Sequence, residues 1–286
     1  MKYYKIADIN IAVDGADYEY FDNIMCDYQI EYQPNLNIHS TINFKLSDKI
    51  CLNGIEPFSN KDGRYYFKTD DKYGFYDYIE EIDKYVSFME TDYNFENIVY
   101  EFCDLTDLFG IEKGVTVTNV LGNLFQQICL HHDTIVVHAS SISYQGQAVT
   151  FTAPSGTGKS THTSLWSKYY NAVIINDDMP AIRCESDKIY AYGTPWSGKT
   201  HINKNIKVPL KAMVFIERKN ENSVIEISSV EALIRMIKEI QLSSFKSQSD
   251  LKIKILDKLF KSVPIYLLEC NISKDAVDII KNEIFN

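Results

Sequence analysis

Apolar and polar positions change rhythm along the chain, and each change marks an element. Thr41-Ile42-Asn43-Phe44-Lys45-Leu46 alternates with a period of two, as a strand with one wet face does. Arg64-Tyr65-Tyr66-Phe67-Lys68 and Ile98-Val99-Tyr100-Glu101-Phe102 read as further strands, rich in the aromatics that suit a pleated surface. Residues 4–13 form one half-alternating run that closes on the turn signal Asp14-Gly15. Together these predict a mostly antiparallel β domain. The rhythm then switches. Val117, Leu121, Leu124, Phe125 and Ile128 follow in steps of three and four, one apolar face of a helix. Residues 134–138 are apolar and β-branched, and 141–144 and 147–152 flank Gln145-Gly146 as a hairpin. Residues 172–175 form a short buried strand that ends at Asn176-Asp177-Asp178, followed by a hairpin over 181–184 and 189–192 and a strand over 211–216. Ser228 with Glu231 makes a capping box that opens an amphipathic helix running to about Gln241. Two helical stretches, 250–261 and 274–284, enclose a strand at 265–269.

Charge divides the chain where the rhythm does. Residues 1–110 carry 22 acidic and 9 basic side chains, the remainder 17 and 20, and 14 of the 20 tyrosines precede residue 111. Two compositions in one chain of 286 residues predict two domains, 1–112 and 113–286. The fold class expected is α/β: an acidic, β-rich N-terminal domain and a C-terminal P-loop domain with a mixed sheet and flanking helices. The acidic first part repels phosphates and argues against a nucleic-acid partner. No apolar run reaches the roughly 18–20 residues of a membrane span, and the start is not a secretion signal. Six scattered cysteines without a CxxC pair read as reduced thiols of a cytoplasmic protein.

One segment carries chemistry. Ala153-Pro154-Ser155-Gly156-Thr157-Gly158-Lys159-Ser160 fits the Walker A spacing at every position but the first, where Ala153 replaces glycine. Gly156 and Gly158 let backbone N–H groups turn inward around phosphate oxygens. Lys159 supplies a cation for the β- and γ-phosphates, and the Ser160 hydroxyl can ligate Mg²⁺. A strand precedes the loop and a helix follows, so the helix N-terminus faces the anion. Ser155 through Thr161 are therefore the expected nucleotide-binding residues, with ATP and Mg²⁺ as cofactors.

A strand ending in acids is where a phosphotransferase needs negative charge, and Asp177 lies 18 residues beyond Lys159. Of Asp177 and Asp178, one carboxylate can hold Mg²⁺ and the other can take the proton of an attacking hydroxyl. A second unusual segment, Tyr192-Gly193-Thr194-Pro195-Trp196-Ser197-Gly198-Lys199-Thr200, could bring Lys199 to the transferred phosphoryl group.

Residues 117–217 resemble the HPr kinase/phosphorylase superfamily, distantly related in its P-loop domain to phosphoenolpyruvate carboxykinase. The resemblance rests on His138-Ala139-Ser140, the loop from Ala153 to Ser160, and Asp177-Asp178, with His138 standing 15 residues before Ala153. It implies that His138 lies in the active site, contacting the phosphoryl group or the acceptor. It also implies that Asp177 is the general base and that Asp178 supports the site or the metal. HPr kinases carry an acid directly after the P-loop serine, where this chain has Thr161. The chain is thus similar to HPr-kinase-related proteins other than the sugar-uptake regulator. The expected activity is Mg²⁺-ATP-dependent phosphoryl transfer to a hydroxyl, a serine of a peptide or protein. A small-molecule kinase and a non-catalytic nucleotide-binding regulator stay open, as does a homo-oligomer.

Overall fold

The computed structural model describes residues 1–52, 54–186, 188–239 and 245–286, and the side chains of Lys199, Lys238 and Glu239 lie outside that description. The chain divides into two compact units, Met1–His131 and His132–Asn286. The division falls beyond the expected 112/113 because the long helix that follows residue 112 packs in the first unit against a short helix near its start.

The first unit comprises β1 (Lys2–Ile6), β2 (Ile9–Asp14), α1 (Glu19–Met25), β3 (Gln29–Ile30), β4 (Ser40–Leu46), β5 (Pro57–Lys61), β6 (Arg64–Lys68), β7 (Lys72–Ile79), β8 (Lys84–Asp92), β9 (Asn97–Phe102), α2 (Thr106–Phe109) and α3 (Lys113–Leu130). Its strands form one sheet in the order β3-β1-β2-β4-β9-β8-β7-β6-β5. Alternation holds on β4, where Ser40, Ile42 and Phe44 are buried and the residues between them are not. The expectation of a single run over 4–13 is corrected. Ala7 and Asp8 both adopt positive φ (50° and 60°) and close a two-residue hairpin that pairs Ile6 with Ile9. The sheet is mostly antiparallel, as expected, except that β4 runs parallel to both β2 and β9. The chain between the parallel partners carries α1 and β3 in one case and β5 to β8 in the other, long enough for a crossover.

The second unit comprises β10 (Thr134–Val136), β11 (Ala139–Tyr144), β12 (Gln147–Thr152), α4 (Lys159–Tyr170), β13 (Val173–Asn176), β14 (Ala181–Cys184), β15 (Ile189–Tyr192), β16 (Lys207–Arg218), β17 (Ser223–Glu226), α5 (Ser229–Glu239), α6 (Lys246–Ser262), β18 (Ile265–Cys270) and α7 (Lys274–Phe285). It is α/β, with strand order β10-β14-β15-β16-β12-β11-β13 and β18 beside β16. The long β16 serves two pairings. Its first residues run antiparallel to β15, and the rest run parallel to β12 and β18. β11 and β12 form the expected hairpin, with Gln145 and Gly146 both at positive φ. The strand expected to be buried at 172–175 is an edge strand instead, and Val173 on it is exposed. Ser228 Oγ accepts from the Glu231 N–H as an N-cap, while the Glu231 carboxylate pairs with Arg235 rather than closing the box. The expected end of that helix, Gln241, lies outside the described residues.

The core beneath α4 and α7 holds Ile142, Val149, Phe151, Trp166, Val214, Leu268 and Ile280. Trp166 is fully buried and meets the rings of Tyr144, Phe151, Tyr170 and Phe285. This packing fixes α4 on the sheet, and α4 carries the phosphate loop's lysine and serine. Among the described residues, no helix is long and apolar enough to cross a membrane.

Candidate functional site

β12 ends at Thr152 and α4 begins at Lys159, so residues 153–158 form the loop between a central strand and a helix N-terminus. Gly156 (φ 79°) and Gly158 (φ 118°) occupy the left-handed region that side chains other than glycine's avoid, and open space surrounds the position of a Cβ at each. Residues 153–158 thus wrap an opening at the positive end of the α4 dipole. Ser155 and Gly156 are exposed, Thr157, Gly158 and Ser160 half-buried, and Thr161 exposed on the first turn of the helix. Lys159 is 7% exposed, and its Nζ donates to the Ala153 carbonyl at 2.9 Å. The same Nζ lies 3.2 Å from His138 Nε2.

His138 follows β10, and its Nε2 is also 3.4 Å from Asp178 Oδ1. One ring nitrogen therefore faces an ammonium donor on one side and a carboxylate acceptor on the other. The tautomer decides whether that nitrogen accepts from Lys159 or donates to Asp178.

The two acids do different things, and Asn176 is the reason. Asn176 Oδ1 accepts from the N–H groups of Asp178 and Met179, at 2.9 and 2.7 Å, so the strand ends in a side-chain-templated turn. Adjacent residues that would point to opposite faces of a strand are thereby splayed within one site. Asp177 turns inward and is 6% exposed. Its Oδ1 accepts from Ser140 Oγ at 2.9 Å and its Oδ2 from Thr200 Oγ1 at 2.8 Å. Ser140 in turn sits 2.9 Å from Thr163 Oγ1 on α4. Thr163 Oγ1 also donates to the Ser160 carbonyl of its own helix at 3.1 Å. Two hydroxyl donors, one on each oxygen, fix the orientation of this buried carboxylate. Asp178 is half-exposed and faces His138 and Gly198.

The segment after β15 closes over the acids. Asn176 Nδ2 donates to the carbonyls of Thr194 (3.0 Å) and Trp196 (3.1 Å), and Thr194 Oγ1 donates to the Met179 carbonyl at 2.7 Å. Gly193 packs backbone to backbone: an added Cβ would stand 2.0 Å from the Lys204 carbonyl oxygen. Lys199 lies on a single helical turn, Gly198–Thr200, next to the residue that bonds Asp177.

The residues expected from sequence thus gather on one face: the loop 153–161, His138, Asp177 and Asp178, with the backbone of Lys199 beside them. Sequence reasoning missed four side chains. Ser140, Thr163 and Thr200 hold Asp177 directly or through one another. Arg218, at the end of β16, lines an open groove with Ser155, Gly156 and Thr157. Among the described residues no three His, Cys, Asp or Glu side chains cluster as a metal cage. The oxygen donors present, the Ser160 hydroxyl and the Asp178 carboxylate, nonetheless suit Mg²⁺, which keeps most of its waters and needs only one or two protein oxygens beside phosphate.

Residues 102–285 match the family described as "ScmC: SynChlorMet cassette protein ScmC". No curated protein sequence matches the chain. Among solved structures, the Hpr(Ser) kinase/phosphatase from Coxiella burnetii is similar at 11% identity and a TM-score of 0.31, over 52% of this chain and 95% of that one. At that distance the likeness says nothing of activity.

Proposed function

The chain belongs to the ScmC family, and from that premise we propose that it is a nucleotide-dependent phosphotransferase that moves a γ-phosphoryl group from Mg²⁺-ATP to a hydroxyl. The observation that carries this reading is the hydroxyl relay from Thr163 through Ser140 to Asp177. It ties a buried carboxylate to the very helix that bears Lys159. A nucleotide site alone would not require that link; a transfer site needs its acceptor-side base fixed relative to its phosphate-side cation.

In this reading the 155–160 backbone and Lys159 hold the triphosphate, with Arg218 on the open side. Bound Mg²⁺ would neutralise phosphate charge from Ser160 and Asp178. Asp177 takes the proton of the incoming hydroxyl, exchanging one of its two hydroxyl donors for the acceptor. His138 stands between Lys159 and Asp178, where it orients the acceptor or the moving phosphoryl group. The acceptor we carry forward is a serine of a peptide or protein.

The test is incubation with γ-labelled ATP, Mg²⁺ and fractionated cell extract. Label in a polypeptide supports the reading in full. Label in a free metabolite keeps the chemistry and replaces the acceptor class. Tight ATP binding with no transfer to anything makes the chain a nucleotide-binding regulator. Asp177→Asn should lower transfer by about 10²–10⁴-fold, the usual contribution of a positioned base, while sparing ATP binding. Near-normal turnover in that variant removes Asp177 from the base role.

A further inference from the structure

Parallel strands β12 and β16 are hydrogen-bonded neighbours, with Thr152 opposite Phe215. Their carboxyl ends therefore leave the sheet side by side. One becomes the phosphate loop and the other continues through Ile216 and Glu217 to Arg218. Open α/β sheets bind ligands outside such strand ends. A cavity of about 450 Å³ lies there, lined by Ala153, Pro154, Phe215, Ile216, Glu217 and, from α5, Glu231, Ile234 and Arg235. Its size falls within the range of small-molecule sites. Pro154, Ile216 and Glu217 also line the groove that runs to Ser155–Thr157. Cavity and phosphate cradle are thus one continuous depression.

The lining has two characters. Pro154, Ile216 and Ile234 form apolar walls, and Ile234 is 53% exposed. At the far edge Arg235 bridges two carboxylates, Nη1 to Glu217 at 2.5 Å and Nε to Glu231 at 3.0 Å. Two acids share one guanidinium, so the edge offers carboxylate oxygens that can accept and N–H groups that can donate, within one plane of reach. A flat aromatic heterocycle with amine and ring-nitrogen groups on its rim fits both characters. A free phosphate or a sugar alone would leave the apolar walls bare.

We infer that this cavity is the nucleobase subsite and that it takes a purine. The base packs between Pro154 and Ile234 and presents its rim to the Glu217–Arg235–Glu231 cluster. The inference rests on the phosphate-loop reading above, and its test separates the two. Titration calorimetry on the full chain with Mg²⁺ compares ATP, GTP, CTP and inorganic tripolyphosphate. Tripolyphosphate should bind, and a purine triphosphate should bind more tightly than either tripolyphosphate or CTP. ATP against GTP tells which rim is read. Ile234→Glu, on an exposed helix face that tolerates charge, should weaken the preferred purine nucleotide by at least about tenfold, as loss of an apolar pocket contact does. It should leave tripolyphosphate within about twofold. Arg235→Ala should act in the same direction. If tripolyphosphate binds as tightly as ATP and GTP, or neither variant changes the purine affinity, the subsite is elsewhere although the loop stands. If tripolyphosphate itself does not bind, the phosphate loop falls and the subsite with it.

Discussion

Acid should disable this protein through one histidine. His162 lies on α4, three residues beyond Lys159. It is buried at 4% exposure and packs its ring 4.9 Å from that of Phe151. Its Nε2 accepts from Trp166 Nε1 at 3.2 Å, so the neutral ring carries its proton on Nδ1. Burial pushes its pKa down to about 4 from an ordinary value of 6.5. The folded state therefore refuses a proton that the unfolded chain accepts. Between pH 6.5 and 4 the unfolded state binds more protons, so stability falls as pH falls through that window and levels off below it. The full difference corresponds to roughly 3 kcal/mol at 1.36 kcal/mol per unit, a large part of the stability of an ordinary domain. Protonation also removes the acceptor that Trp166 uses, so the lesion lies directly under the phosphate loop. His162 lines a small cavity with Thr157 and Gly158, which makes loss of triphosphate binding the expected companion. The assay is urea unfolding from pH 7 to pH 4, followed by tryptophan fluorescence. His162→Gln keeps an acceptor for Trp166 and has no proton to gain. The wild type should lose stability over this window more steeply than the variant, by an amount approaching that figure. Equal slopes in the two proteins would refute the assignment of the acid sensitivity to His162.

Three further perturbations probe the positioning of the site. Thr200→Val removes one donor from Asp177 and should lower the transfer rate about ten- to hundredfold by letting the carboxylate wander, while nucleotide affinity holds steady; a kcat and KM measurement with calorimetry separates the two effects. Gly193→Ala drives a Cβ to 2.0 Å from the Lys204 carbonyl oxygen, so the 193–204 segment must shift, at a cost of about 1–3 kcal/mol or more in thermal unfolding. Trp166→Ala empties the centre of the second core and should cost about 3–5 kcal/mol, read as a lower denaturant midpoint.

Much of this was legible in the sequence wherever the signal is local. β4 announces itself because alternation and one-sided burial are the same fact seen twice. The turn from β12 into α4 is legible because its glycines answer a backbone demand within six residues. The hairpin between β1 and β2 was not, because Ala7 and Asp8 take up left-handed φ without a glycine or asparagine to signal it. The parallel pairings of β4 were hidden for a different reason: one strand's pattern reports which face is buried, not the direction of its neighbour. Ser140, Thr163 and Thr200 escaped notice because a hydroxyl has no chemistry until a partner is placed. Theirs comes from 23 to 37 residues away. Arg218 reads as the end of a strand until β16 is set beside β12 and its last residues reach the loop.

Buried polar groups separate the two units by purpose. Among the described residues, the first unit buries Ser40, Ser87, Thr91 and Thr118, whereas the second buries Ser140, Ser141, Thr150, Thr152, Thr163, Asn176, Asp177 and Thr194, among others. Those of the second unit are joined: Ser141 to Thr150, Ser140 to Thr163 and Asp177, Asn176 to Thr194. An apolar set of the same volume would pack at least as stably, since desolvating polar groups costs free energy that their mutual bonds barely recover. What the joined set adds is definition. Ser140 contacts both Thr163 and Asp177, so the orientation of Asp177 is tied to that of Thr163, and Thr163 is fixed by the helix that starts at Lys159. The distance between cation and carboxylate is then set by covalent geometry and directed bonds rather than by the softness of apolar packing. Transfer chemistry needs that fixity before a substrate arrives.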